Sequence, residues 1–334
     1  MPERGRRRSL PERLRRHKVT VGLLGGAALP VALWLIAGRV DTGALGQGLA
    51  AVATSPERAL LPVAAFGAAF VLRAHLWCRV LPALPFTRAL AAVHMGLAAN
   101  HLLPFRLGEG VRAVSATRWT GLSLRTTVGS TVLLRTADVL ALVALGWLLG
   151  PAVLHRHLGW LAWVAPPVLA LAVAVVLLWL ARQPEHRARD LCLPDAVVVA
   201  GTLGAWLLEA VLVWSSAQWV GIPLGPAEAV VVTAASVVSQ IAGVAPGGIG
   251  TYEAAATAAY VALGHPGAEG LAAAVVAHGL TTAYALVGGA VALALVRLSS
   301  RPAPLEPLLE VPVPSMAVAG AGPARERGTG GGSA

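Results

Sequence analysis

The sequence is poor in charge: 13% of its 334 residues are Asp, Glu, Lys or Arg, against about 25% in soluble domains. So few charges cannot coat a water-facing surface. With 56% hydrophobic residues and a mean hydropathy of +0.70, an ordinary soluble globule is excluded. Cysteine is scarce as well. Cys78 lies in an apolar run and Cys192 in a charged loop, a separation that argues against a disulfide scaffold, a zinc site and thiol chemistry. No His-x-x-x-His, cysteine pair or carboxylate cluster has metal-ligand spacing, so no metal and no other cofactor is expected. Lysine is nearly missing too: Lys18 stands alone, and the net charge of +10 is an arginine charge.

Where that charge sits decides what it means. Eight of the 26 basic residues precede position 19, and they run straight into the 20 uncharged residues Val19 to Gly38. At about 1.5 Å per residue this stretch crosses roughly 30 Å of hydrocarbon. A basic cluster beside such a span fits an anionic membrane face, and no nucleic-acid partner is expected. A cleaved signal peptide is the alternative, but its apolar region is about 7 to 15 residues long and is not followed by further spans.

Apolar runs of spanning length occur at 19–38, 60–81, 127–149, 158–181, 196–220 and 270–297. Two other runs are interrupted: 89–103 ends at Pro104, and 228–264 is cut by Pro246, Gly247, Gly248 and Gly250. The order helix, helix, proline break, helix starts at 19, 60, 104 and 127 and again at 158, 196, 246 and 270. The near-constant offset between these two series predicts a duplicated unit. Each break carries a proline, a glycine four residues later, and then a carboxylate, Glu109 or Glu253. If both breaks turn back, each unit crosses three times and the second is upside down. Arginine supports this arrangement, because 21 basic residues then fall inside while Arg39, Arg58 and Arg156 alone lie outside.

The expectation is therefore an all-α polytopic membrane protein of two inverted repeats, each of three transmembrane helices and a re-entrant helical hairpin. Residues 1–18 form a basic cytoplasmic segment, 19–149 the first repeat, 150–297 the second, and 298–334 a disordered Pro- and Gly-rich cytoplasmic tail. Irregular backbone within hydrocarbon survives only packed in protein or lining a wet cavity, which places both breaks centrally. Transporters use this arrangement.

Three stretches carry a resemblance: Asn100-His-Leu-Leu-Pro104-Phe-Arg-Leu-Gly108-Glu109-Gly-Val-Arg112, Leu134-Arg135-Thr-Ala-Asp138, and Ser236 through Ala245-Pro246-Gly-Gly-Ile-Gly250-Thr-Tyr-Glu253. In this order they resemble the flippase-like membrane domain of the lysylphosphatidylglycerol synthase family over nearly all of residues 19–297. The resemblance implies a bacterial inner-membrane protein that moves a lipid with a polar head between leaflets, such as an anionic or aminoacylated phospholipid or a polyprenyl-linked sugar. Larger members add a soluble aminoacyl-transfer domain, whereas here a 37-residue tail follows Arg297. The expectation is thus a translocase rather than an enzyme, with a lipid-modifying enzyme as a candidate partner. A membrane-embedded transferase or lipid-presenting subunit, and a small-solute transporter, are the alternatives.

Ionisable residues in spans are the site candidates, since each costs about 2.5 to 3.5 kcal/mol or more at the bilayer centre. Arg135 and Asp138 share a helix face at i and i+3, either to pin packing or to aim the arginine at a phosphate. Glu253 is expected in the first turn of the returning half-helix, with Thr251 as its cap, serving either as a dipole partner or as an amine or proton site. Glu109 pairs with Arg112 or joins the site, and Arg106 is a further headgroup contact. Gly247, Gly248 and Gly250 permit positive φ, where amides can cradle a phosphate. Asn100, Ser239 and Gln240 are placed to replace lost backbone hydrogen bonds. Glu209 stands in a span with no basic residue of its own, a proton-coupling candidate alongside Asp138. Arg73 and His75 are read as snorkelling to the inner surface, and His278 as a helix-to-helix hydrogen bond.

Overall fold

The computed structural model describes residues 38–103, 106–151, 190–240 and 245–299, with scattered positions between 155 and 182. The expected spans at 19–38 and 158–181, the basic segment and the tail lie wholly or mostly outside them. The described residues form α1 (Thr42–Thr54), α2 (Pro56–Val80), α3 (Phe86–Leu102), α4 (Gly108–Thr120), α5 (Leu124–Leu149), α6 (Ala196–Trp219), α7 (Pro226–Ser239), α8 (Thr251–Ala262) and α9 (Gly267–Ser299), with one 3-10 turn at Pro246–Gly248. The protein is all-helical across these residues. Helices α2, α5, α6 and α9 are long and apolar enough to cross a membrane, and they fall on four of the six expected spans. Their outer faces are apolar: Leu61, Val287 and Leu298 are 75%, 64% and 83% exposed. Such a surface suits lipid and not water.

Local chemistry sets the helix ends. Asp41, Ser123 and Asp195 cap α1, α5 and α6 by accepting from the amides of Ala44, Thr126 and Val198. Pro56 and Pro226 occupy first-turn positions. Helix α3 stops at Leu103, which precedes Pro104 and takes the extended geometry (φ −106°, ψ 143°) that a following proline imposes. Helix α1 has no counterpart among the expected elements. It is held by Gly48, where a Cβ would sit 2.8 Å from Val220 and 3.0 Å from Val276.

The chain reverses at both breaks. In the first hairpin Arg88 lies over Trp119 at 5.2 Å, Gly96 faces Arg112, and the Asn100 side chain accepts from the Gly108 amide at 2.8 Å. These contacts are those of two antiparallel arms. A Cβ on Gly108 would collide with the Gly96 carbonyl oxygen, so only glycine lets the arms close. In the second hairpin the Ser239 hydroxyl donates to the Thr251 carbonyl at 3.1 Å, and Gly248 packs on Gln240.

Helices α2, α3, α4 and α5 recur as α6, α7, α8 and α9: the starts Pro56, Phe86, Gly108 and Leu124 are matched, at a near-constant interval, by Ala196, Pro226, Thr251 and Gly267. Packing between the halves is reciprocal. Helix α2 lies on its counterpart α6, α3 packs on α9, and α7 packs on α5. Small residues allow these approaches, as expected where lipid is as apolar as the side chains: a Cβ on Gly289 would collide with the Cβ of Ala98, and one on Gly201 would be 2.7 Å from Leu76.

Candidate functional site

The two hairpin tips meet in the middle of the bundle. His101, at the end of α3, lies against Gly247 and 6.1 Å ring to ring from His278 on α9. Beside them is a cavity of about 110 Å³, lined by both tips and by side chains of α2, α5, α6, α7 and α9.

Six charged side chains from four helices form one alternating chain, and Arg73, Arg135 and Glu209 of it line this cavity. Glu209 on α6 accepts from Arg73 on α2, at 3.1 Å from Nε and 2.7 Å from Nη2. Arg73 also donates to Asp138 on α5. Asp138 accepts from Arg135 at 2.9 Å, and Arg135 donates to Glu109 on α4, at 2.8 Å from Nε and again from Nη2. Glu109 in turn accepts from Arg112 at 3.2 Å. Three carboxylates and three guanidinium groups cancel. That neutrality makes burial tolerable, because an unpaired ion inside a protein costs on the order of several kcal/mol. Aromatic faces add support: Arg73 lies 4.3 Å from the Trp206 ring centre and Arg112 4.6 Å from that of Trp77.

Arg73 therefore does not snorkel. Its side chain is 10% exposed and holds carboxylates from two other helices. The surface expectation fails because its partners stand 65 and 136 residues away in sequence. The second interval matches the expected starts at 60 and 196 but not the observed ones, Pro56 and Ala196, so the helix repeat alone does not pair these two residues. Arg73 and Glu209 lie on matched helices of the two halves, one turn out of register with each other, and are bonded across them.

Arg106, between the hairpin arms, stands apart from this chain. It faces the cavity and forms no ion pair among the described residues. Its φ of 51° is the one positive value at a non-glycine among them, a conformation worth about 1 to 3 kcal/mol of strain that persists where surrounding structure enforces it.

The second tip is organised around His278. Its Nε2 lies 3.0 Å from the Gly247 carbonyl and its Nδ1 2.6 Å from Glu253 Oε1. A carbonyl only accepts, so Nε2 carries a proton, and the Nδ1 contact needs one more, on ring or carboxyl. Glu253 Oε2 meanwhile accepts from the Gly250 amide at 2.7 Å. The cap position is thus Gly250, not Thr251, whose hydroxyl donates to the Gly248 carbonyl at 2.8 Å. Gly247, Gly248 and Gly250 do take positive φ, at 67°, 73° and 88°. The amides of Gly248 and Gly250 are already engaged, by Ala245 and Glu253, and so are not an open phosphate cradle.

The structure brings Arg135, Asp138, Glu109, Arg112 and Glu209 into one network and sets Arg106 at the same cavity, with Glu253 and the three glycines on the opposite tip. Asn100 closes the first hairpin and lines the cavity, and Gln240 does the same opposite. His278 does bond between helices. Sequence reasoning missed His101, Tyr252 and the aromatic wall of Phe66, Phe70 and Trp206; apolar or lone aromatic positions in apolar helices give no signal that separates a cavity wall from a core.

The family model described as "Lysylphosphatidylglycerol synthase TM region" matches residues 21–289, and the chain belongs to that family. It is a membrane-embedded, multi-pass helical protein with a lipid-related function. No curated protein and no solved structure matches it.

Proposed function

From membership in the lysylphosphatidylglycerol synthase membrane-region family, we propose that the chain translocates a lipid with a phosphate-bearing headgroup between the leaflets of a bacterial inner membrane, without catalysing a reaction itself. One observation carries this reading: Arg106 forms no ion pair among the described residues and faces the cavity beside a network whose three guanidinium and three carboxylate groups already cancel, which leaves one cation in excess. A phosphate supplies the missing charge through charge-assisted hydrogen bonds, and the strained backbone of Arg106 fits a residue held for a ligand. Arg135 is the most open member of the network, 36% exposed in its side chain, and is the second headgroup contact. Asp138 and Glu209 hold Arg73 and thereby the wall between the halves.

The two halves lie inverted, three crossings each, with both termini cytoplasmic. Antiparallel hairpins, reciprocal packing and the arginine distribution support this, and rocking of one half on the other exposes the cavity to either leaflet in turn. A cysteine replacing Arg156 is expected to react with a membrane-impermeant maleimide in intact cells; reaction only after lysis overturns the orientation.

The test of function is the full chain in vesicles of phosphatidylethanolamine and phosphatidylglycerol carrying a headgroup-accessible fluorescent phosphatidylglycerol, with transbilayer movement followed by dithionite quenching. Arg106→Gln is expected to slow movement severalfold without changing the melting temperature, and Arg106→Lys to keep part of the rate. An unchanged rate in Arg106→Gln removes the cavity from the path. No movement by the unsubstituted chain, together with altered lipid chemistry in cells lacking it, favours the transferase or lipid-presenting alternative.

A further inference from the structure

Helices α3 and α9 run side by side in opposite directions and present facing stripes, Leu90, His94, Leu97 and His101 on one and Val291, Gly288, Tyr284 and His278 on the other. One end of this seam walls the central cavity, through Leu97, His101 and His278. The other end walls a second cavity of about 530 Å³, a groove on the outer face between the two helices. Helix α9 is bare there: Val291 and Leu295 are 53% and 60% exposed.

Between groove and cavity stands an aromatic block. His94 Nδ1 lies 2.9 Å from the Leu90 carbonyl, which only accepts, so Nδ1 carries a proton, and Nε2 is hydrogen-bonded to the Tyr284 hydroxyl at 2.9 Å. Phe66 meets Tyr284 edge-on at 5.2 Å, and Phe70 lies 6.1 Å from both His94 and Tyr284. Both phenylalanines also line the central cavity. One layer of rings therefore separates the two spaces. Glycines leave it room, since a Cβ on Gly288 would sit 2.8 Å from the His94 ring and one on Gly67 3.1 Å from the Tyr284 hydroxyl.

The groove has one polar end, where Thr87, Arg88 and Ser299 line it. Arg88 stacks on Trp119 and forms no ion pair among the described residues. A cation with two hydroxyls at the rim and an apolar floor match an anionic phospholipid, phosphate at Arg88 and acyl chain along Leu90, Ala91, Val291 and Leu295. The apolar stretch Val19 to Gly38 of this chain has no anionic side chain to meet Arg88, whereas a phospholipid brings its phosphate. We propose that this groove is the lateral portal by which an anionic phospholipid reaches the central cavity, gated by the His94–Tyr284 bond. The proposal rests on the translocation reading above and names where the lipid comes in.

The test places p-benzoylphenylalanine at Leu295 of the full chain, in vesicles of phosphatidylethanolamine with a minority of phosphatidylglycerol, and identifies photo-adducts by mass. Phosphatidylglycerol is expected severalfold above its bulk share, falling to that share in Arg88→Glu. Adducts at the bulk ratio, or adducts to the chain's own residues 19–38 or 300–334, overturn the proposal. Gly288→Trp and, separately, Ala91→Trp fill the groove and are expected to slow movement of the fluorescent phosphatidylglycerol severalfold, and a full rate in folded forms of both also overturns it. The two readings fail differently. Enriched adducts in a chain that translocates nothing end the translocation reading and with it the portal, leaving a binding groove, whereas bulk-ratio adducts in a chain that translocates through Arg106 end the portal alone.

Discussion

In the first half of the chain the carboxylate after the break, Glu109, is bonded by Arg135 on α5; in the second half its counterpart Glu253 is bonded by His278 on α9. The step along the sequence from Glu109 to Glu253 nearly equals that from Arg135 to His278. The recurring helix order thus places an acid on the returning arm and a base on the helix after it, twice. What differs is the base. A guanidinium stays charged at every working pH and offers five donors, so the first pair extends into a network that reaches Asp138 and Arg73. An imidazole has two ring nitrogens, one of them spent on the Gly247 carbonyl, and the second pair therefore ends where it begins. The first tip is built to hold fixed charge, the second to hold one proton and to tie the glycine turn to α9. Asn100 and Gln240 repeat the pattern at nearly the same step, each against the glycine that closes its own hairpin.

The largest expected effect comes from the bond that joins the halves. Arg73→Ala strips Glu209 of its partner and Asp138 of one of two, in a site where those side chains are 9% exposed. Removing one partner of a buried pair costs about 3 to 5 kcal/mol, so the variant is expected to melt far below the unsubstituted chain in detergent, or to fail to accumulate. Glu209→Gln leaves Arg73 bonded to Asp138 and should lose less. Equal losses from both would mean that the halves are not held together here.

A pair of matched substitutions sharpens the comparison of the tips. Glu109 accepts from two guanidinium groups, and the amide of Glu109→Gln turns an NH2 toward one of them; losing hydrogen bonds to charged groups costs about 1.5 to 3 kcal/mol. In Glu253→Gln the amide oxygen still accepts from Gly250 and the NH2 donates to His278 Nδ1, so the cost is expected to stay below about 1 kcal/mol. Melting temperatures of the two variants measure the difference. If Glu253→Gln proves the more damaging, His278 is a charged partner and the second tip resembles the first.

Much of this is legible without coordinates. Hydropathy marks four of the described helices, and Pro104 and Pro246 mark the reversals, because proline forces the residue before it out of helix and glycine permits the turn after it. The i and i+3 pairs Arg135–Asp138 and Glu109–Arg112 follow from helix spacing. Contacts between distant helices do not. That is why sequence alone puts Arg73 at the surface and leaves the glycine amides open, and why α1, too short to span and held by Val220 and Val276 far along the chain, leaves no trace.

The smallest expected effect tests the halves at their edge. Ser55 and Asp195 hold corresponding places before α2 and α6, yet only Asp195 caps: its carboxylate accepts from the Val198 amide at 2.9 Å, while Ser55 makes no side-chain cap bond. Asp195 also accepts from Arg79, and that bond holds its carboxyl below the usual range. A carboxyl whose folded value is depressed stabilises the fold above its unfolded value, about 3.9 for Asp, and the contribution disappears as pH falls through the folded value. Both groups are exposed and screened, so Asp195→Ala is expected to lower the melting temperature slightly at neutral pH and progressively less below about pH 4. Ser55→Ala is expected to change little at any pH. A Ser55→Ala loss as large as that of Asp195→Ala, or an Asp195→Ala loss that persists in acid, would show that the two ends are held by the same backbone contacts and that the carboxylate adds nothing to the second.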